Sequence, residues 1–152
     1  MNDSNPARGS RRPAGGQRRD AGGTRRGNYP PKRPAPSIPA VADPARRAAL
    51  AVLRAVGERD AYANLVLPVT LRQFGLEGRD AAFATELAYG SLRGRGTYDA
   101  ILQACSQRSI DGLDPGVLDV LRLGAHQVLA MRTPAHAAVS ATVGLCLSLI
   151  HI

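Results

Sequence analysis

The chain is 152 residues long, 44% hydrophobic and 4% aromatic with no Trp, so it has room for one domain and a tail, and its core must be built mostly from Ala, Leu and Val. Its formal charge of +8 divides unevenly: residues 1–43 carry nine Arg or Lys against three Asp, and residues 44–152 carry eleven basic against nine acidic residues. Two cysteines make neither a disulfide framework nor a zinc site, no apolar signal core opens the chain, and no run of about 18 apolar residues occurs, so the expectation is a cytoplasmic protein rather than a secreted or membrane-spanning one.

Residues 1–42 read as a disordered Arg/Gly/Pro-rich tail. Tyr29 to Pro39 is too rich in proline to hold a helix. The pairs Arg11-Arg12, Arg18-Arg19 and Arg25-Arg26 recur every seven residues between Gly-containing spacers. That pattern suits the backbone of a polyanion, most simply nucleic acid, and equally suits a solubilising tail without a fixed partner. The proline and glycine content argues against an amphipathic transit peptide.

Order is expected to begin at Asp43-Pro44, where Asp suits the N-cap and Pro the first helical position. The first helix is expected to run to about Val56, with Gly57 closing it. A second covers Asn64 to Phe74, with Pro68 starting or kinking it and Gly75 ending it. A third opens at Arg79 or Asp80 and continues to about Leu92, with Phe83, Leu87, Ala88 and Leu92 on one face. Gly94-Arg95-Gly96 breaks or bends the chain, and Thr97 can cap a fourth helix carrying Ile101, Leu102 and Cys105.

Asp114-Pro115 repeats the start signal for a fifth helix reaching about Met131. It is apolar on most sides, which predicts a central position. Pro134 opens a sixth, through Ala138, Val139 and Val143. No stretch alternates with period two between turn signals, so the class is all-α, with six helices or fewer. The last six residues, Leu147 to Ile152, read as a translated transposase adapter from a sequencing library rather than protein sequence.

Little here can do chemistry. Gly94-Arg95-Gly96 follows a helix rather than a strand, so it is no cofactor loop. Cys105 and Cys146 lie in helical patterns and read as small buried hydrophobes. His126 and His136 are ten residues apart on different helices, without metal-ligand spacing, so a packing or surface role is expected, and no metal. What remains is cationic surface. Arg46 and Arg47 follow the basic tail directly, and Arg93 and Arg95 flank the glycine bend. Arginine forks bind phosphate in two-pronged fashion, and the first pair is the better candidate.

Three stretches carry a resemblance: Ala61 to Pro68; Arg79 to Arg93 followed by Tyr98-Asp99, with Glu86-Leu87, Gly90, Leu92 and Arg93 in place; and Leu121 to Val143, containing Arg132-Thr-Pro-Ala-His-Ala-Ala-Val139. Together they resemble the NusB-like domain that begins the Sun/Fmu (RsmB) family of ribosomal RNA cytosine-C5 methyltransferases. The resemblance implies a helical bundle over residues 43–146 that engages small-subunit ribosomal RNA. It also implies a further helix and an S-adenosylmethionine-dependent, Rossmann-like domain beyond the residues given. The chain alone is then expected to be inactive and to hold no cofactor. A free-standing NusB-type antitermination factor is the alternative, and a helical interaction module without an RNA role a third. The mid-helix Gly90, costing about 1 kcal/mol against Ala, implies close approach of another helix.

Overall fold

The computed structural model describes residues 42–150. The expected tail falls outside them except for Ala42, which is buried. Six α-helices follow in order: α1 (Pro44–Arg59), α2 (Ala63–Gln73), α3 (Gly78–Arg93), α4 (Arg95–Cys105), α5 (Pro115–Leu129) and α6 (Ala135–Ile150), with a 3-10 turn at Ile110–Gly112 before α5. Among the described residues there is no strand.

The two Asp-Pro signals act as cap chemistry predicts. Asp43 Oδ2 accepts from the Arg46 amide at 3.3 Å, and Asp114 Oδ1 accepts from Gly116 and Val117 at 2.9 and 3.2 Å. The α2 stop also matches its residue: Gly75 has φ +63°, and the Leu76 amide then closes onto the Leu71 carbonyl at 2.9 Å.

Two boundaries differ from the expectation. Gly57 does not close α1, which continues to Arg59 and ends at Asp60 in the left-handed region, φ 50°. The extra turn is exposed, and the Arg54–Glu58 ion pair at 2.8 Å, spaced i,i+4, spans the glycine and supports it against glycine's weak propensity. Pro68 lies within α2, which opens at Ala63 beside the expected Asn64. It deprives the Asn64 carbonyl of a helical donor, on an exposed residue whose carbonyl water can reach. Thr97 does not cap α4, because Gly94 alone separates α3 from α4 and Thr97 lies within the helix.

The core forms where α1 meets α2, α3 and α5, and where α5 meets α6. Leu50, Val52 and Leu53 of α1 meet Leu67, Leu87, Ala88, Val120, Leu123 and Leu145. A smaller cluster of Ala45, Ala48 and Ala84 is roofed by Phe74, Leu76 and Phe83. Alanine faces bring α1 and α3 close together, and this lets a nearly aromatic-free sequence fill its interior. The fifth helix is central as expected, touching α1, α3, α4 and α6. Its orientation was not expected. Asp119, Arg122, His126 and Gln127 point inward, while Val128 and Leu129 are exposed. The cysteines also depart from the buried reading: Cys105 is exposed and Cys146 half-buried.

Candidate nucleic-acid interface

The four arginines singled out in the sequence do not form one cluster of equals. Arg46 turns into the protein. Its Nε donates to Gln127 Oε1 at 2.8 Å, a terminal nitrogen pairs with Asp43 at 3.0 Å, and the guanidinium lies 4.9 Å from the Phe83 ring centroid. Such an arginine fastens the start of α1 to α5. Arg47 turns outward, its guanidinium 5.6 Å from the Phe74 ring centroid. Among the described residues it has no carboxylate within 4 Å, so its fork stays available to a phosphate.

Arg93 and Arg95 flank the one-residue joint at Gly94, and both are exposed. Arg93 stays 3.8 Å from Glu86, a loose pair across exposed surface. Arg95 acts electrostatically on Asp99 without a direct bond. Arg47, Arg93 and Arg95 are therefore the reachable cations of the four.

Behind the joint lies a buried polar layer that sequence reasoning missed. Arg122 of α5 is almost fully buried. It forms a two-pronged pair with Asp99 of α4, at 2.7 and 2.8 Å, and contacts Asp119 at 2.8 Å. The hydrogen bonds from Arg122 hold the Asp99 carboxyl below its ordinary range, while those from Asp99 and Asp119 raise Arg122.

One turn on, His126 Nδ1 lies 2.7 Å from the Tyr98 hydroxyl, and its Nε2 lies 3.5 Å from Glu86. A carboxylate can only accept, so the proton belongs on Nε2 and Tyr98 donates to Nδ1. The Glu86 contact is too long for a good hydrogen bond and leaves Nε2 without a close partner. Burial pushes the His126 pKa down, opposed by the nearby Glu86 charge.

Gly90 explains itself here, because the edge of the His126 ring occupies the space where a side chain would stand. The available signal was the stretch itself: Glu86, Gly90, Tyr98 and Asp99 are all among the residues that carried the resemblance.

The third feature is an apolar groove of about 370 Å³ between α4, α5 and α6, lined by Leu102, Leu121, Ala125, Leu129, Val139 and Val143 among others. No ionisable side chain enters it. Among the described residues no three His, Cys, Asp or Glu side chains gather as metal ligands, and no helix is long and apolar enough to cross a membrane. The described residues do not fit S-adenosylmethionine either: they contain no strand leading into a glycine turn, and Gly94 joins two helices.

The sequence pattern of the NusB family matches residues 43–150. The chain belongs to the NusB family. A Mycobacterium tuberculosis protein provisionally named a methyltransferase is 62% identical over 101 residues, which is 66% of this chain and 22% of that protein. The ribosomal RNA small subunit methyltransferase B of Thermus thermophilus is 42% identical over 95 residues, 62% of this chain and 23% of the relative. This NusB-family chain thus spans about a fifth of the length of the curated relatives it matches. A protein chain in a crystal structure described as that of a plectonemic RNA supercoil superimposes with a TM-score of 0.61 at 22% identity, covering 67% of this chain and 76% of that one. At that identity the likeness is one of fold.

Proposed function

We propose that this NusB-family chain is the RNA-binding amino-terminal part of a small-subunit ribosomal RNA (cytosine-C5) methyltransferase of the cytoplasm. In this reading it holds the RNA for an S-adenosylmethionine-dependent domain encoded elsewhere in the same polypeptide, and performs no methyl transfer itself. The observation that carries the proposal is the alignment of the chain with about a fifth of each of several proteins named as methyltransferases, four of them as ribosomal RNA small subunit methyltransferase B. The fold neighbour from a structure of an RNA supercoil agrees with a role on RNA. Residues 147–152 are proposed to be adapter-derived, which resequencing the gene would test.

Within the proposal, Arg47, Arg93 and Arg95 contact phosphate together with the basic tail, and Arg46 positions α1. The test is filter binding of the 152-residue chain to small-subunit ribosomal RNA over a salt series. Each phosphate contact removed by substitution should lower the slope of log affinity against log salt by about 0.7–0.9. Arg47→Ala and the double change Arg93→Ala, Arg95→Ala should flatten the slope, and deleting residues 1–42 should flatten it most. Salt-independent binding, or none at low salt, would refute the RNA reading. Transfer of label from S-adenosylmethionine by this chain would refute the division of labour.

A further inference from the structure

We infer that the cavity between the end of α1, α4, the 3-10 turn and the start of α5 receives one unstacked RNA base, and that its lining selects cytosine over uracil. That site deepens the RNA-binding reading above and depends on it. The cavity holds about 680 Å³, inside the range of about 300–1,000 Å³ usual for sites that take a small planar group. Arg95 is both exposed and part of its lining, so a phosphate held by Arg95 leaves its base beside the cavity.

The buried polar layer borders this cavity and leaves hydrogen-bonding capacity unused there. Arg122, 5% exposed, is part of the lining. A guanidinium has five N–H groups, and three of these are engaged: Nε and one terminal nitrogen donate to Asp99, and the other terminal nitrogen donates to Asp119 Oδ1. Each terminal nitrogen therefore keeps one N–H without a partner among the described residues. Asp119, 8% exposed, also lines the cavity, and its Oδ2 accepts nothing among the described residues. Buried polar groups call for partners. A molecule entering here meets one bare carboxylate oxygen beside two bare guanidinium donors.

Charge narrows the choice of ligand. Glu58, Asp99, Asp111 and Asp119 line the cavity against Arg95 and Arg122, and Arg54 pairs with Glu58 at 2.8 Å. A phosphate inside would meet more carboxylate than guanidinium, and a cation would compete with Arg122 for its own partners. A neutral planar group carrying both donors and acceptors fits better. RNA presents such groups as unstacked bases, read on their pairing edges. The cytosine edge runs amino donor, ring-nitrogen acceptor, carbonyl acceptor, so N4 can donate to Asp119 Oδ2 while N3 and O2 accept from Arg122. Uracil has a carbonyl in place of the amino group and an N–H in place of the ring acceptor. It would set oxygen against the carboxylate and N–H against the guanidinium. Leu113 and Leu118 add apolar surface for the face of the ring.

Fluorescence anisotropy of the 152-residue chain with labelled oligocytidine and oligouridine of equal length, near neutral pH and over a salt series, tests the site. Both should show the same salt slope, because their phosphates are the same, and oligocytidine should bind about tenfold tighter. In Asp119→Asn the amide oxygen stays with Arg122 and the amide N–H groups turn to the cavity, so the preference should vanish or reverse toward uracil. Gly57→Leu leaves the buried layer untouched. Gly57 lines the cavity and an added Cβ meets nothing within 4 Å, so the larger side chain should crowd the base and shrink the preference with helicity unchanged. Equal, salt-dependent affinity for the two oligomers would overturn the inference while leaving the RNA reading standing, as would a tenfold preference that survives both variants. Failure of both oligomers to bind at low salt would overturn the RNA reading and this inference with it.

Discussion

Gly90→Ala is the sharpest test of the α3–α5 contact. At an unhindered helix interior position this change should stabilise by about 1 kcal/mol, because alanine has the better propensity. Here the new methyl group would overlap Cε1 and Nε2 of His126, a side chain that is almost fully buried and cannot swing into solvent. Relieving the overlap means separating α3 from α5 or turning the ring off Tyr98. Overpacking of this kind costs about 1–3 kcal/mol. Losing the 2.7 Å Tyr98 bond adds about 1 kcal/mol.

The net expectation is destabilisation by about 1–3 kcal/mol, read as a lower midpoint in urea unfolding followed by circular dichroism. In a His126→Ala background the obstruction is gone, and the same Gly90→Ala change should become neutral or stabilising. The coupling between the two positions should therefore exceed about 1 kcal/mol. A Gly90→Ala protein as stable as the parent, with His126 intact, would refute the close-packing account.

Two further predictions concern the same layer. Arg122→Ala leaves Asp99 and the largely buried Asp119 without their counter-charge, and breaking a buried pair from one side costs about 3–5 kcal/mol, which thermal unfolding would register as a large drop in Tm. His126 should make stability depend on pH. Its folded pKa lies below the ordinary value of about 6.5, so its contribution is fully present above 6.5 and is lost as pH falls through the folded pKa. The urea midpoint should fall on acidification below about 6.5, and His126→Gln should remove that part of the slope; an unchanged slope would refute the assignment.

The legible parts of this fold were those written in local chemistry. Asp43-Pro44, Asp114-Pro115 and Gly75 each satisfy backbone groups within a few residues of themselves, so their effect did not depend on the rest of the chain. Gly57 misled because a glycine can also stay inside a helix: the exposed Arg54–Glu58 pair bridges it, and Asp60 takes the left-handed position that ends α1. The orientation of α5 was hidden for a different reason. Its apolar and polar residues both recur at helical spacing, and nothing local says which set faces in. Burying Arg122 and His126 becomes acceptable only once Asp99, Tyr98 and Glu86 arrive from α3 and α4. The candidate arginines were legible as residue types and not as directions. Arg46 and Arg47 are neighbours in sequence, yet one is held by Gln127 and the other faces solvent.

The recognisable stretch of this chain shows the same split between inward and outward side chains. Glu86, Gly90, Arg93, Tyr98 and Asp99 carried the family resemblance in sequence, on either side of a glycine bend. In the structure most of them are fasteners. Gly90 admits His126, Tyr98 holds its ring, and Asp99 neutralises Arg122. Their effect is to make the Gly94 joint rigid, with α3 and α4 both tied to α5. A rigid joint fixes where the backbone of Arg93 and Arg95 sits, and cations on a fixed backbone lose less backbone freedom on meeting phosphate than cations on a loose loop. The buried layer and the exposed arginines are therefore one device in the proposed RNA contact. If so, Tyr98→Phe, which removes one hydroxyl far from solvent, should weaken RNA binding without changing its salt slope, whereas Arg95→Ala should change both. Unchanged RNA affinity in Tyr98→Phe would separate the fasteners from the interface and leave them a purely structural role.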